Sequence, residues 1–192
     1  MLDKSIPYYN VIMKRPKGTA LPQFELPDGY SFERYTSGME VKWAAIEASV
    51  GEFENNEESL TYFKKEYLPY SNELKDRLLF VLNKEGEPVG TITGWWNLTG
   101  ERRDLSIHWF AVSKEYQGLG IGKALVSECI RNLLHLEGDK DVYLHTQTWS
   151  YIAIALYLKT GFNMEEKETF ANYQNDYEQA LPILQGLLNN RS

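Results

Sequence analysis

Apolar residues alternate with polar ones in some stretches of the chain and recur at helical spacing in others, and the change of period lays out its elements. Residues 9–15 and 30–35 predict two strands, separated by a loop that carries Pro16, Gly18, Pro22, Pro27 and Gly29. Met39, Trp43, Ile46 and Val50 share one face of a helix over 39–50, and a second helix is expected over 57–67, ending before Pro69. A hairpin follows, with β-rich runs at 77–82 and 89–95 joined by Lys84-Glu85-Gly86-Glu87. A strand over 105–113 leads through a glycine-rich turn into a helix that runs to about Leu136. That helix has Leu125, Val126, Cys129, Ile130, Leu133 and Leu134 on its apolar face, and Gly138-Asp139 ends it. Further on, 142–148 predicts a strand, 152–159 a short helix with Gly161 as its C-cap glycine, and 162–170 another strand. From Asp176 an amphipathic segment places Tyr177, Leu181, Leu184 and Leu188 on one side, with regular helix expected only from near Pro182.

Strands come first as a mostly antiparallel set, and one strand–helix–strand crossover over 105–148 then implies a parallel pair. The fold class expected is therefore α/β (α+β), with a mixed, mostly antiparallel central sheet flanked by helices. A length of 192 residues with 43% hydrophobic content fits one such domain. Its 13 Tyr, 8 Phe and 5 Trp exceed what a minimal core needs, which leaves rings to line a pocket.

Charge and cysteine usage narrow the function. The net charge is −7 and no basic run is longer than Lys14-Arg15-Pro16-Lys17, which argues against an extended nucleic-acid surface and suits cationic substrates. Cys129 is the single cysteine, so no internal disulfide is possible. Its mid-helix place on the apolar face reads as a buried structural thiol. The amino terminus lacks a basic start followed by an apolar run, and no apolar stretch has membrane-spanning length. A cytoplasmic protein without a membrane partner is expected, and no metal.

The glycine-rich turn carries the sharpest chemistry. Gly118, Gly120 and Gly122 stand between a strand and a helix, where unpaired N–H groups and the helix dipole suit a pyrophosphate and Lys123 adds charge. A Walker loop needs Gly where Gln117 stands and Ser or Thr where Ala124 stands, and a dinucleotide fingerprint needs Gly at Lys123. Both readings fail on spacing.

The segment Val112-Ser113-Lys114-Glu115-Tyr116-Gln117-Gly118-Leu119-Gly120-Ile121-Gly122-Lys123-Ala124-Leu125 resembles motif A of the GNAT superfamily of N-acetyltransferases. A second run, Ala153-Ile154-Ala155-Leu156-Tyr157-Leu158-Lys159-Thr160-Gly161-Phe162, resembles another motif of that family. Lys114 departs from a common Pro and Ser150 from a common Asn. The resemblance covers about 28–170 and implies the acyl-CoA N-acyltransferase fold. It leaves 1–27 as an N-terminal extension with an extra strand, and 171–192 as a C-terminal helical tail packed on the same domain.

What the resemblance implies for chemistry is acetyl transfer from acetyl-CoA to a primary amine of a small molecule or protein, by direct attack in a ternary complex. The rival is a non-catalytic acyl-CoA-binding module of the same fold. Cofactor contacts are implied for Phe110, Ala111, Val112, Gln117, Gly118, Leu119, Gly120, Ile121, Gly122, Lys123 and Ser150. Tyr157 takes the family place of the acid that protonates the CoA sulfur. His108 takes that of a proposed base, expected to titrate between pH 6 and 7, with His145 or a water relay to the acidic N-terminal half as competitors. Trp95, Trp96 and Trp109 are expected either to wall the acceptor pocket or to lie in the core, with core the preferred place for Trp109. A homodimer is compatible with the family.

Overall fold

The computed structural model describes residues 2–189. Seven strands form one sheet: β1 (Asn10–Arg15), β2 (Ser31–Arg34), β3 (Leu78–Leu82), β4 (Pro88–Thr99), β5 (Arg102–Val112), β6 (Val142–Gln147) and β7 (Asn163–Met164). Their spatial order is β2-β3-β4-β5-β6-β1-β7, and every neighbouring pair is antiparallel except β5 and β6. The mixed, mostly antiparallel sheet flanked by helices is as expected. Alternation sorts the strand residues between two cores. Leu79 and Val81 of β3 join one buried cluster with the helices α4 (Ile121–Glu137), α5 (Tyr151–Lys159) and α6 (Tyr177–Asn189). Leu78 and Phe80 join the other with α1 (Glu40–Ser49), α2 (Asn56–Glu66) and α3 (Ser71–Arg77).

Helix α4 starts at the glycine-rich turn and lies so close to β4 that a Cβ on Gly94 would stand 2.9 Å from Leu133 Cγ and 3.3 Å from Cys129 Sγ. Helix α2 is capped by Asn55, whose side chain accepts the Glu58 N–H at 2.9 Å. At the far end of α4, Glu137 accepts hydrogen bonds from Arg77 at 2.5 Å and from both guanidinium nitrogens of Arg103 at 2.9 Å. Those partners, Arg103 first, hold its carboxyl down at about 2.

Several elements differ from the sequence reading. Arg77 closes a short helix rather than opening β3, because only Leu74 and Arg77 of that helix are buried and seven polar-rich residues show no period. Of the strand expected over 162–170, only Asn163 and Met164 pair, on the outer edge of β1. The following loop is held instead by ion pairs from Lys14 to Glu165 and Glu168 and by Phe170 stacked on Tyr143. Helix α6 starts at Tyr177, so Pro182 lies inside it. Its start is anchored early because Asp176 bonds to β1 twice, accepting from Asn10 N–H and donating its own N–H to Asn10 O, and then accepts the Ala180 N–H. The extra strand of the N-terminal extension is β1, which sits inside the sheet between β6 and β7 rather than at its edge.

The contact at Gly94 leaves no room for a methyl group. Gly94→Ala is expected to lower stability by about 1–3 kcal/mol through overpacking against Leu133, read as a lower midpoint in chemical denaturation.

Candidate active site

The site begins at an irregularity in β5. Thr93 faces His108 and Thr91 faces Ala111, so the single residue Ile92 lies opposite both Trp109 and Phe110. Trp109 has a φ of +47°, the backbone signature of a bulge at a non-glycine residue. The bulge shifts the phase of the strand. Leu105 and Ile107 before it share a core with Val112 after it, whereas Trp109 and Ala111 pack on the opposite side. On its other edge β5 pairs with β6 only at Leu105 with Val142 and Ser106 with Tyr143. Beyond that point the two strands part and leave the edge of β5 open.

A cavity of about 500 Å³ fills the opening. Of the eleven residues expected to hold a cofactor, ten line it: Phe110, Ala111 and Val112 on β5, Gln117, Gly118, Leu119, Gly120, Gly122 and Lys123 at the turn, and Ser150 before α5. The exception is Ile121, whose side chain is buried in the core, so that only its backbone belongs to the turn. Gly120 caps α4 with φ +91° and no side-chain cap, leaving the first N–H groups of the helix free of intrahelical acceptors. Gln117 Nε2 donates to Val112 O at 2.8 Å, which ties the turn to β5. At Gly122 a Cβ would meet Leu156 at 3.0 Å and Phe110 at 3.1 Å, so a larger residue would narrow the cleft between α4, α5 and β5.

A second cavity of about 580 Å³ adjoins the first, and Phe110, Ser150, Ala153 and Glu52 line both. Tyr157, His108 and His145 all line the second. The Tyr157 ring lies 5.9 Å from that of Phe110, and burial raises the phenol's pKa, with Cys129, Glu52 and Glu47 adding to it. The phenol therefore stays protonated at neutral pH.

His108 is held on both ring nitrogens. Nδ1 lies 3.1 Å from the Tyr67 hydroxyl, and Nε2 lies 2.8 Å from Asn97 Nδ2 and 3.0 Å from Ser106 Oγ. Because the Asn97 amide donates, Nε2 is an acceptor and Nδ1 carries the hydrogen. Burial, and then the charge of His145, lower the His108 pKa to about 4. The titration expected between pH 6 and 7 is thereby displaced downwards. His145 stacks on Tyr173 at 3.8 Å, bonds Asn10 through Nε2, and is lowered by burial to about 4 as well.

Trp95 and Trp109 line the second cavity together with Tyr62, Tyr67 and Tyr173. Trp109 is partly buried, its indole N–H donates to the Tyr62 hydroxyl at 3.2 Å, and it both packs against the core on that side and lines the cavity. Trp96 stacks on Trp95 at 4.4 Å, on the side of the guanidinium groups of Arg77 and Arg103, and itself lines neither cavity. Cys129 is buried at 1% exposure and its thiol pKa is raised by burial, which fits a structural thiol.

Two carboxylates at the second cavity escaped the sequence reading. Glu47 is buried on α1 and lines the second cavity, and Glu52 lines both. A signal was present for Glu47: it follows Trp43 by four residues and so places a charge on the apolar face of its helix. Among the described residues there is no group of three or more His, Cys, Asp or Glu able to hold a metal, and no helix is long and apolar enough to cross a membrane.

Comparison with known proteins accords with this geometry. The chain is 27% identical over 169 residues to a mycothiol acetyltransferase of Streptomyces coelicolor, covering 81% of this chain and 50% of that protein. It is 29% identical over 151 residues to a mycothiol acetyltransferase of Paenarthrobacter aurescens, covering 75% and 46%. The chain thus spans about half the length of the curated relatives it matches. Among solved structures, a GCN5-related N-acetyltransferase from Sphaerobacter thermophilus has the same fold, with a TM-score of 0.59 at 21% identity over 83% of this chain and 50% of that one. The model of the acetyltransferase (GNAT) family matches residues 43–162, more than half of the chain and the stretch that contains the bulge, the glycine turn and Tyr157; the chain belongs to that family.

Proposed function

We propose that this chain transfers an acetyl group from acetyl-CoA to a primary amine by direct attack, with both substrates bound at once. Two adjoining cavities with a shared wall support this reading. The first suits the acyl donor. Backbone N–H groups of the glycine turn, the positive end of α4 and Lys123 fit a pyrophosphate, and the open edge of β5 at Phe110 and Val112 can pair with the amides of an extended pantetheine arm. The second cavity suits an acceptor that reaches the same wall from the other side.

Direct attack is favoured because the single thiol is buried in α4 and out of reach of either cavity. Tyr157 is the acid in this scheme. As the C–S bond breaks, the departing thiolate takes the phenol proton, which burial keeps in place until then. His108 contributes as a neutral, oriented group that fixes Tyr67 and Asn97 on the acceptor side. The curated relatives are named for mycothiol. With about half their length matched, the lining of this chain's own second cavity is the better guide to its acceptor.

Free-thiol release from acetyl-CoA with a panel of primary amines tests the reading, and Tyr157→Phe is expected to lower turnover by about 10²-fold or more with acetyl-CoA affinity little changed. Turnover near that of the wild type would reduce Tyr157 to a packing residue. Gly120→Val meets nothing within 4 Å but forces a β-branched residue to φ +91°. It should cost the turn about 1–3 kcal/mol and weaken acetyl-CoA binding about tenfold or more, measured by calorimetric titration on a folded variant.

The pH profile tests His108. Its neutral form is the working one, and with a pKa near 4 that form persists from neutrality down to about that value, being lost only as pH falls further. His108→Ala is therefore expected to lower kcat/KM at pH 7 without removing any limb between pH 6 and 7. A limb in that interval that vanishes in the variant would mean the histidine titrates in its ordinary range.

A further inference from the structure

The reaction outlined above leaves one buried group unused. Glu47 is fully buried at the wall of the second cavity, and among the described residues no donor reaches either of its carboxylate oxygens. A carboxylate removed from water without a partner is costly. Burial raises the Glu47 pKa well above the carboxylate range, and the charge of Glu52 raises it further. Glu52 follows the end of α1 and bonds back to it, its N–H donating to Glu47 O at 3.3 Å, and its carboxyl is also raised by burial, with Lys4 opposing. Lys4 is the one cation among the described residues that line this cavity, and its ammonium donates elsewhere, to Gly51 O at 3.4 Å. Among the described residues, the other titratable side chains that line this cavity supply no positive charge near pH 7. His108 and His145 are neutral, Tyr67 and Tyr157 keep their protons, and Glu66 is a third acid.

We propose that Glu47 and Glu52 form the cation subsite of the acceptor pocket, holding the acceptor's primary ammonium beside the aromatic wall and passing its proton to Glu52 at the mouth shared with the donor cavity. This rests on the acetyl-transfer reading. The ammonium gives one proton to the Glu52 carboxylate, and the freed lone pair forms the C–N bond at the thioester carbon. The C–S bond breaks and the thiolate takes the Tyr157 proton. The second proton shed by the nitrogen returns to the Tyr157 phenolate, and the proton on Glu52 leaves to solvent, so one proton is released per turnover. An ammonium at this subsite also favours ionised Glu47, so binding itself drives a proton off that acid. The aromatic rings of Tyr62, Tyr67 and Trp109 add attraction for the same charge.

Calorimetric titration of the full chain at pH 7 tests this, in two buffers of different ionisation enthalpy. The probes are methylammonium, 1,4-diaminobutane, 2-phenylethylamine and the neutral 2-phenylethanol. At least one amine is expected to bind with release of about one proton, and 2-phenylethanol with none. Glu47→Gln should abolish the release, weaken amine binding about tenfold or more, and leave acetyl-CoA affinity unchanged, since Glu47 lines only the second cavity. Glu52→Gln, at a partly exposed position that tolerates the amide, should weaken amine binding as well. The subsite is overturned if no amine binds with proton release, or if both variants bind the amines as the wild type does. Loss of acetyl-CoA binding by the wild type would instead overturn the acetyl-transfer reading itself.

Discussion

The extra residue in β5 is the constraint on which the site depends. Trp109 adopts a left-handed backbone conformation that costs a non-glycine residue on the order of 1–3 kcal/mol, and the surrounding rings hold it there. Its indole packs 4.9 Å from Phe53, 5.0 Å from Tyr62 and 5.9 Å from Trp43, and is bonded to the Tyr62 hydroxyl. Because side chains alternate with a period of two, one inserted residue moves every later side chain to the other face. Val112 is thereby returned to the core beneath α4 and Phe110 is presented to both cavities, in the part of β5 beyond its pairing with β6.

The polar groups at the two ends of the molecule are treated in opposite ways. Glu137 at the end of α4 is met by Arg77 and Arg103, and its carboxyl is held near 2, so its charge is satisfied and its role is to join α3, α4 and β5. At the second cavity the same kind of group, Glu47, is buried and left without a hydrogen-bond partner. His108, Tyr157 and Tyr67 are likewise pushed towards their uncharged forms by burial. Keeping the histidines and tyrosines of this pocket neutral leaves the carboxylates as its main partners for an incoming cation, and the low dielectric strengthens whatever pairing that cation makes.

Much of the fold was legible in the sequence because it rests on period and local chemistry. The amphipathic face of α4, the hairpin of β3 and β4, and the glycine turn that opens α4 are each specified within a few neighbouring residues. That the residues assigned to the glycine turn and the end of β5 lie together was legible for the same reason. A turn that must offer bare N–H groups needs glycine in fixed places, and ten of the eleven residues assigned to it line one cavity. Segments whose order comes from distant contacts were not legible. The loop after β7 is shaped by Lys14 and Tyr143 rather than by its own β-rich composition, and the start of α6 is set by Asn10 through Asp176 despite Pro182.

The chemistry of the second cavity was decided by tertiary structure alone. His108 could be placed on a strand from sequence, but its proton affinity depends on Tyr67, Asn97 and Ser106, which the fold gathers around it. The placing of Glu47 and Glu52 at one cavity wall likewise appears only once α1 is laid over the aromatic residues of β4 and β5. Sequence by itself determined most of the elements, the glycine turn and the family, since these depend on which residues are neighbours along the chain. The fold determined burial, and burial sets which groups carry a proton and which charge still lacks a partner.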